Sequence, residues 1–336
     1  MNLFIVLVSC FTQISNSNSL IFDSPAVHQL TESIDHGEGP VWDHRTGLLY
    51  FVDVFEGRIL SYDYITNELY AAHLHGNTTP IIPSVKDFHL FIIGIERSLY
   101  AIKWDGKGHI EAKKNLTTVS QQFPTSRIND GKADPMGRIW FGTMGFEGPT
   151  GVTPDEGVLY LASKYSIHDP LPVIHPVNIS NGLAWNKALN KFYYIDTLTF
   201  TVKEYDYNNH NGNIRNPIVV FNLTEHGNLT GFPDGMTIDK DDNLWIALCY
   251  GGAVIKVNPT TRCVLQVVAI PAKCVTSVAW GGPNLEVLFV TTSRHALSAT
   301  EKLMLPAAGS LFAITNLDTH GLPASFANIV DTIDND

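Results

Sequence analysis

The chain has 336 residues, 44% hydrophobic and 16% charged, a balance that excludes a disordered chain and supplies a large core. Thirty-three Asp and Glu against twenty-two Lys and Arg leave a formal charge of −11 without any basic run, so nucleic acid and anionic membrane surfaces are poor partners. The length is generous for one ordinary domain, yet a closed all-β architecture reaches this size as a single unit.

Residues 3–11 are apolar and residues 13–19 small or polar, which reads as a secretory signal peptide over 1–19 followed by one domain over 20–336. The apolar run is too short to cross a bilayer. The alternative is the apolar N-terminus of a cytosolic protein. Glycosylation acceptor patterns at Asn77, Asn115, Asn178, Asn222 and Asn228 fit export; a glycan on Asn178 requires an outward side chain. Cys10 leaves with the signal. Of the remaining cysteines, Cys249 reads as a small buried apolar residue, and Cys263 with Cys274 is a candidate bridge for an oxidising compartment.

Beyond the signal the chain is a succession of short strands and turns with no run at helical period. Gly47 to Asp53 leads into Arg58 to Tyr64, and Lys191 to Asp196 into Thr201 to Tyr207. Asn243 to Ala247 leads in the same way into Ala253 to Val257, and looser copies start at His89, Gly137 and Glu286. These make six units of about 45 to 55 residues, the period of four-stranded blades. The expected fold is therefore all-β, a six-bladed β-propeller. Segment 144–156, rich in Gly and Pro, falls inside the third unit as a lid or rim loop. Trp42, Trp140, Trp185, Trp245 and Trp280 recur at matching places, as packing between blades requires.

In such a ring the loops entering the innermost strands converge on the central channel. Four of them pair an oxygen-bearing side chain with Gly: Gly37-Glu38-Gly39, Asn129-Asp130-Gly131, Asn181-Gly182 and Asp234-Gly235. Glu38, Asn181 and Asp234 then offer two carboxylates and an amide oxygen to one divalent cation. Ca²⁺ suits hard oxygen donors best, with Mg²⁺, Mn²⁺ and Zn²⁺ as alternatives. Without a cation the two acids would repel and one pKa would rise. Arg127 can hold a substrate oxygen by a forked pair of hydrogen bonds, and Glu147 of the rim segment would add a polar contact. A cation that polarises a carbonyl makes ester or lactone hydrolysis the natural reaction, with Asp234 as proton acceptor and donor. His36 and His175 are candidates for the channel mouth.

The runs Gly37-Glu-Gly-Pro-Val-Trp42, Arg127-Ile-Asn-Asp-Gly-Lys-Ala-Asp-Pro135, Ile179-Ser-Asn-Gly-Leu-Ala-Trp185, Tyr193-Tyr-Ile-Asp196 and Pro233-Asp-Gly-Met236 resemble the regucalcin (senescence marker protein)/gluconolactonase family over about residues 33 to 325. Insect luciferin-regenerating enzymes are also similar, around Gly131 to Pro135 and Val275 to Ala279. The resemblance implies a six-bladed propeller and metal-dependent hydrolysis of sugar lactones such as gluconolactone. It matches Glu38, Asn181 and Asp234 to metal ligands, Asp234 also to the acid/base, and Arg127, Asn129 and Glu147 to substrate contacts. A non-catalytic calcium- or ligand-binding secreted propeller and a luciferin-regenerating enzyme are the competing functions. No protein partner is expected.

Overall fold

The repeating pattern becomes six four-stranded antiparallel sheets in a computed structural model that describes residues 24–333. Blades 1 to 5 occupy residues 37–73, 78–118, 127–177, 180–222 and 232–269, each laid down in chain order from inside to outside. Blade 6 takes three strands from residues 274–315 and its outermost from the other end of the chain, where Ala26–Gln29 pairs with Phe312–Thr315. The chain thereby closes the ring on itself, so that all six blades carry four strands and leave only short outer edges. The signal-peptide reading over 1–19, Cys10 included, falls outside the described residues, and among the described residues no helix is long and apolar enough to cross a membrane.

Each blade has two faces to bury, and the middle strands read as nearly unbroken apolar runs for that reason. Leu48–Asp53, Leu90–Ile95, Ile139–Met144 and Val287–Ser293 are buried along their whole length. Trp42, Leu49, Phe51 and Leu60 of blade 1 pack on Val287, Phe289 and Ala313 of blade 6, so the closure has its own apolar cluster. Full burial of such a side chain contributes about 1.5 to 3 kcal/mol.

The expected tryptophans divide into two sets. Trp140 and Trp245 lie on second strands and donate their indole N–H to Asp134 (3.0 Å) and Asp239 (3.1 Å), the acids just past two inner strands. Trp42, Trp185 and Trp280 lie at the far ends of the inner strands themselves.

Three features differ from the sequence reading. Segment 144–156 is not only loop: Glu147–Gly148 pairs with Gly151–Val152 in a small hairpin at the rim. A short helix, Ala299–Met304, interrupts blade 6, started by Ser298 and Glu301 in reciprocal capping bonds. Finally, Cys274 bridges Cys249, not Cys263. Cys263 opens the outermost strand of blade 5, whereas Cys249 and Cys274 lie on inner layers of adjacent blades. A separation along the chain carries no information about layer, which is why the nearer partner in sequence was the wrong one.

Candidate metal centre and its channel

All six inner strands carry an irregularity at one height, between Glu38 and Val41, Thr78 and Ile81, Ile128 and Gly131, Asn181 and Leu183, Pro233 and Met236, and Val275 and Ser277. A bulge turns a side chain out of the regular alternation, and here it does so six times around one axis. The residues at the irregularity are Glu38, Thr79, Asn129, Asn181, Asp234 and Thr276. Every one bears oxygen.

Two of the six tie the ring together. Thr79 Oγ1 donates to the carbonyl of Asn129 (2.8 Å) and Thr276 Oγ1 to that of Gly37 (2.6 Å), each crossing to a neighbouring blade. The amides are oriented by their own bonds. Asn181 donates Nδ2 to Thr197 Oγ1 (2.7 Å), and Asn129 donates Nδ2 to Asn181 Oδ1 (3.1 Å) and to the Ser180 carbonyl (2.9 Å). That turns the Asn181 oxygen toward Asn129 with a lone pair to spare.

The acids sit where charge is costly. Glu38 is 9% exposed; burial, and then the charge of Asp130, push its carboxyl up to about 8. Burial, then Glu38, then Asp130, raise the Asp234 carboxyl well above the ordinary range. The Lys132 ammonium, on the channel side below Asp130, donates to the carbonyls of Leu183 (3.1 Å) and Met236 and only partly compensates. Two buried acids, the charge of Glu38 raising Asp234, with an oriented amide oxygen on the same ring, offer the donors that a hard divalent cation takes. Glu38, Asn181 and Asp234 fit such an ion.

At the mouth the structure brings Arg127, Asn129 and Glu147 together. Arg127 donates to Asn129 Oδ1 (2.8 Å) and reaches the Glu147 carboxylate of the rim hairpin at 3.4 Å. Phe55 stands 5.7 Å from the Arg127 guanidinium and 4.9 Å from the ring of His36. His36 is held to Ser293 Oγ (2.8 Å), and burial together with Arg127 and His295 lowers its pKa to about 3, so it is neutral at physiological pH. His175, by contrast, is exposed on the outermost strand of blade 3 and does not face the channel.

Sequence reading missed the residues that hold the ring in place. Asp53 accepts backbone N–H from Asp35 (3.2 Å) and His36 (3.0 Å), the two residues ahead of the blade 1 inner strand. Asp196 does the same for Asn178 (3.2 Å) and Ile179 (3.2 Å) in blade 4. In blade 5 the equivalent place belongs to Cys249, whose bridge to Cys274 leaves both sulfurs and an Asp234 carboxylate oxygen within 4.8 Å of one another. Asp53, Asp196 and Cys249 each stand fifteen residues after Glu38, Asn181 and Asp234, a regularity present in the sequence. The Asn178 side chain also donates to Asp196 (2.9 Å), so it does not face outward as a glycan would require.

Residues 36–294 match the model of the SMP-30/Gluconolactonase/LRE-like region. The chain belongs to that family. Among its relatives, bovine regucalcin is 32% identical over 295 residues, 88% of this chain and 95% of that one. A solved luciferin-regenerating enzyme superposes with a TM-score of 0.85 at 32% identity, covering 91% of this chain and all of the other. The solved structure of a calcium-binding protein, regucalcin, from Agrobacterium tumefaciens has the same fold, with a TM-score of 0.81 at 20% identity over 90% and 98% of the two chains.

Proposed function

We propose that this chain is a divalent-metal-dependent hydrolase of sugar lactones, with Glu38, Asn181 and Asp234 holding the cation. The observation that carries the reading is the pair of desolvated acids, Glu38 and Asp234, facing one channel beside an oriented amide oxygen. Membership of a family described by gluconolactonase supports the substrate class. A bound cation, Ca²⁺ before Mg²⁺, Mn²⁺ or Zn²⁺, would polarise the lactone carbonyl and lower the pKa of water.

The chain's own groups do the rest. Arg127, held flat by Asn129 and Glu147, presents its remaining N–H donors to substrate oxygens, and Glu147 accepts from a sugar hydroxyl. Phe55 and neutral His36 offer an uncharged wall for the sugar ring. Asp234 takes a proton from water as its oxygen adds to the carbonyl carbon. When the ring C–O bond breaks, Asp234 returns that proton to the departing oxygen, opening the lactone to a hydroxy acid.

The test is a panel of aldonolactones assayed with and without chelator. Turnover that survives both EDTA and Asp234→Asn sinks the proposal, and tight Ca²⁺ binding without turnover of any lactone favours a carrier instead. We further propose that the protein is exported. The apolar segment 3–11 supports this, as do exposed acceptor asparagines at Asn115 and Asn228; a shift in mass on deglycosylation of secreted material checks it.

A further inference from the structure

Below the oxygen ring the channel does not fill. It widens into a cavity of about 340 Å³ that shares none of Glu38, Asn181, Asp234, Arg127 or Glu147. Its walls are the next channel-facing positions of the inner strands, among them Val41, Ile82, Ala184 and Ala279, and its floor is residues 322–325. The segment bearing that floor crosses the underside of the propeller, paired to Asp239 of blade 5 at Gly321 and to Ser84, just past the inner strand of blade 2, at Ala327.

The walls are mainly apolar; Asp130, Lys132, Asn186 and Thr237 also line the cavity, with Asp130 Oδ2 a buried acceptor that has no partner, and two tryptophans supply donors that point to an occupant. Trp185 (8% exposed) and Trp280 (3% exposed) both line the cavity, and both leave a buried indole Nε1 without an acceptor. Their counterparts Trp140 and Trp245 have an aspartate each, so an unpaired indole is not the habit of this fold. A buried donor left unmade is costly, and natural chains retain one where something else satisfies it. Exposed Lys187 stands at the mouth, a cation that favours an anionic head.

We propose that the lower channel is a second ligand site, for a small ring-bearing organic anion whose acceptor oxygens take the Trp185 and Trp280 N–H. The volume lies in the range of small-molecule pockets. An apolar body replaces water against the aliphatic walls while the carboxylate or sulfonate satisfies the indoles. The site shares no residue proposed to hold the cation, and it does not rest on the lactonase reading.

The probe is 8-anilinonaphthalene-1-sulfonate, titrated by fluorescence into the full-length protein. Saturable one-to-one binding, unchanged by EDTA and by excess gluconolactone, is expected. Trp185→Phe and Trp280→Phe keep the ring and remove the donor, so each should weaken binding about fivefold to tenfold. Ala279→Leu fills the cavity and should abolish it. All three should retain lactone turnover and melt no lower than the parent, which separates loss of a ligand contact from loss of fold. Non-saturable binding overturns the proposal, as does binding indifferent to both Trp→Phe changes or displaced by the lactone. So does a crystal grown with the probe in which ordered water alone accepts from both indoles.

Discussion

At the scale of single residues, chemistry and support divide cleanly around the ring. Asp234→Asn keeps the shape but removes both the charge proposed to hold the cation and the proposed proton acceptor. Lactone kcat/KM should fall about 10² to 10⁴-fold, the range for a lost general base, read in initial-rate assays beside a Ca²⁺ titration. Asp196→Asn touches no substrate yet releases the backbone ahead of Asn181. Its effect should be about 10 to 100-fold on metal affinity, measured by calorimetry, with a smaller loss of fold stability. The acids also set a pH dependence with a definite sign. Glu38 has a folded pKa of about 8 against 4.5 for the unfolded chain, so the metal-free protein binds the extra proton when folded. Its contribution to stability is full below 4.5 and lost as pH rises through 8. Melts in EDTA should therefore climb as pH drops from 9 to 5, and saturating Ca²⁺ should reverse that trend by holding the acids ionised. The oxygen-bearing loops were legible because an acid or amide beside Gly recurs four times at matching places in the repeat. Asp53, Asp196 and Phe55 were not, because a strand-ending acid or a lone aromatic carries no sign of what it will face.

At the scale of elements, the rim hairpin and the bridge are the parts that composition concealed. Glu147 sits on a two-residue strand, exposed, and meets Arg127 only because the hairpin folds back over the mouth. Glu147→Ala should raise KM severalfold with little change in kcat, a split that initial rates over a range of gluconolactone resolve. The strands themselves were legible since their apolar runs recur at a fixed period, and the sheet order follows from that period. The pairing of cysteines was not, since it depends on which layer of a blade each strand occupies. Cys249–Cys274 ties blade 5 to blade 6 across 25 residues. Closing a loop of that size should contribute about 3 kcal/mol, and Cys249→Ala with Cys274→Ala should lower the melting temperature accordingly. Because the bridge takes the place that an aspartate holds in blades 1 and 4, the double variant should also loosen Asp234 and weaken Ca²⁺ binding.

For the whole molecule, the four-residue strand Ala26–Gln29 completes the last blade from the opposite end of the chain. A protein that begins after Gln29 would retain every residue of the oxygen ring and still leave blade 6 with a bare edge. Such a chain should unfold at lower denaturant and lose cooperativity, seen as a broadened urea transition. The clasp also imposes an order of events during synthesis. Among the described residues the first strand to be synthesised is among the last to find its partner, so every earlier blade must wait as an open arc until Phe312–Thr315 emerges. The hub, with its acids and its lower chamber, becomes a single circular enclosure only at that moment; the proposed cation site is gained all at once, on completion.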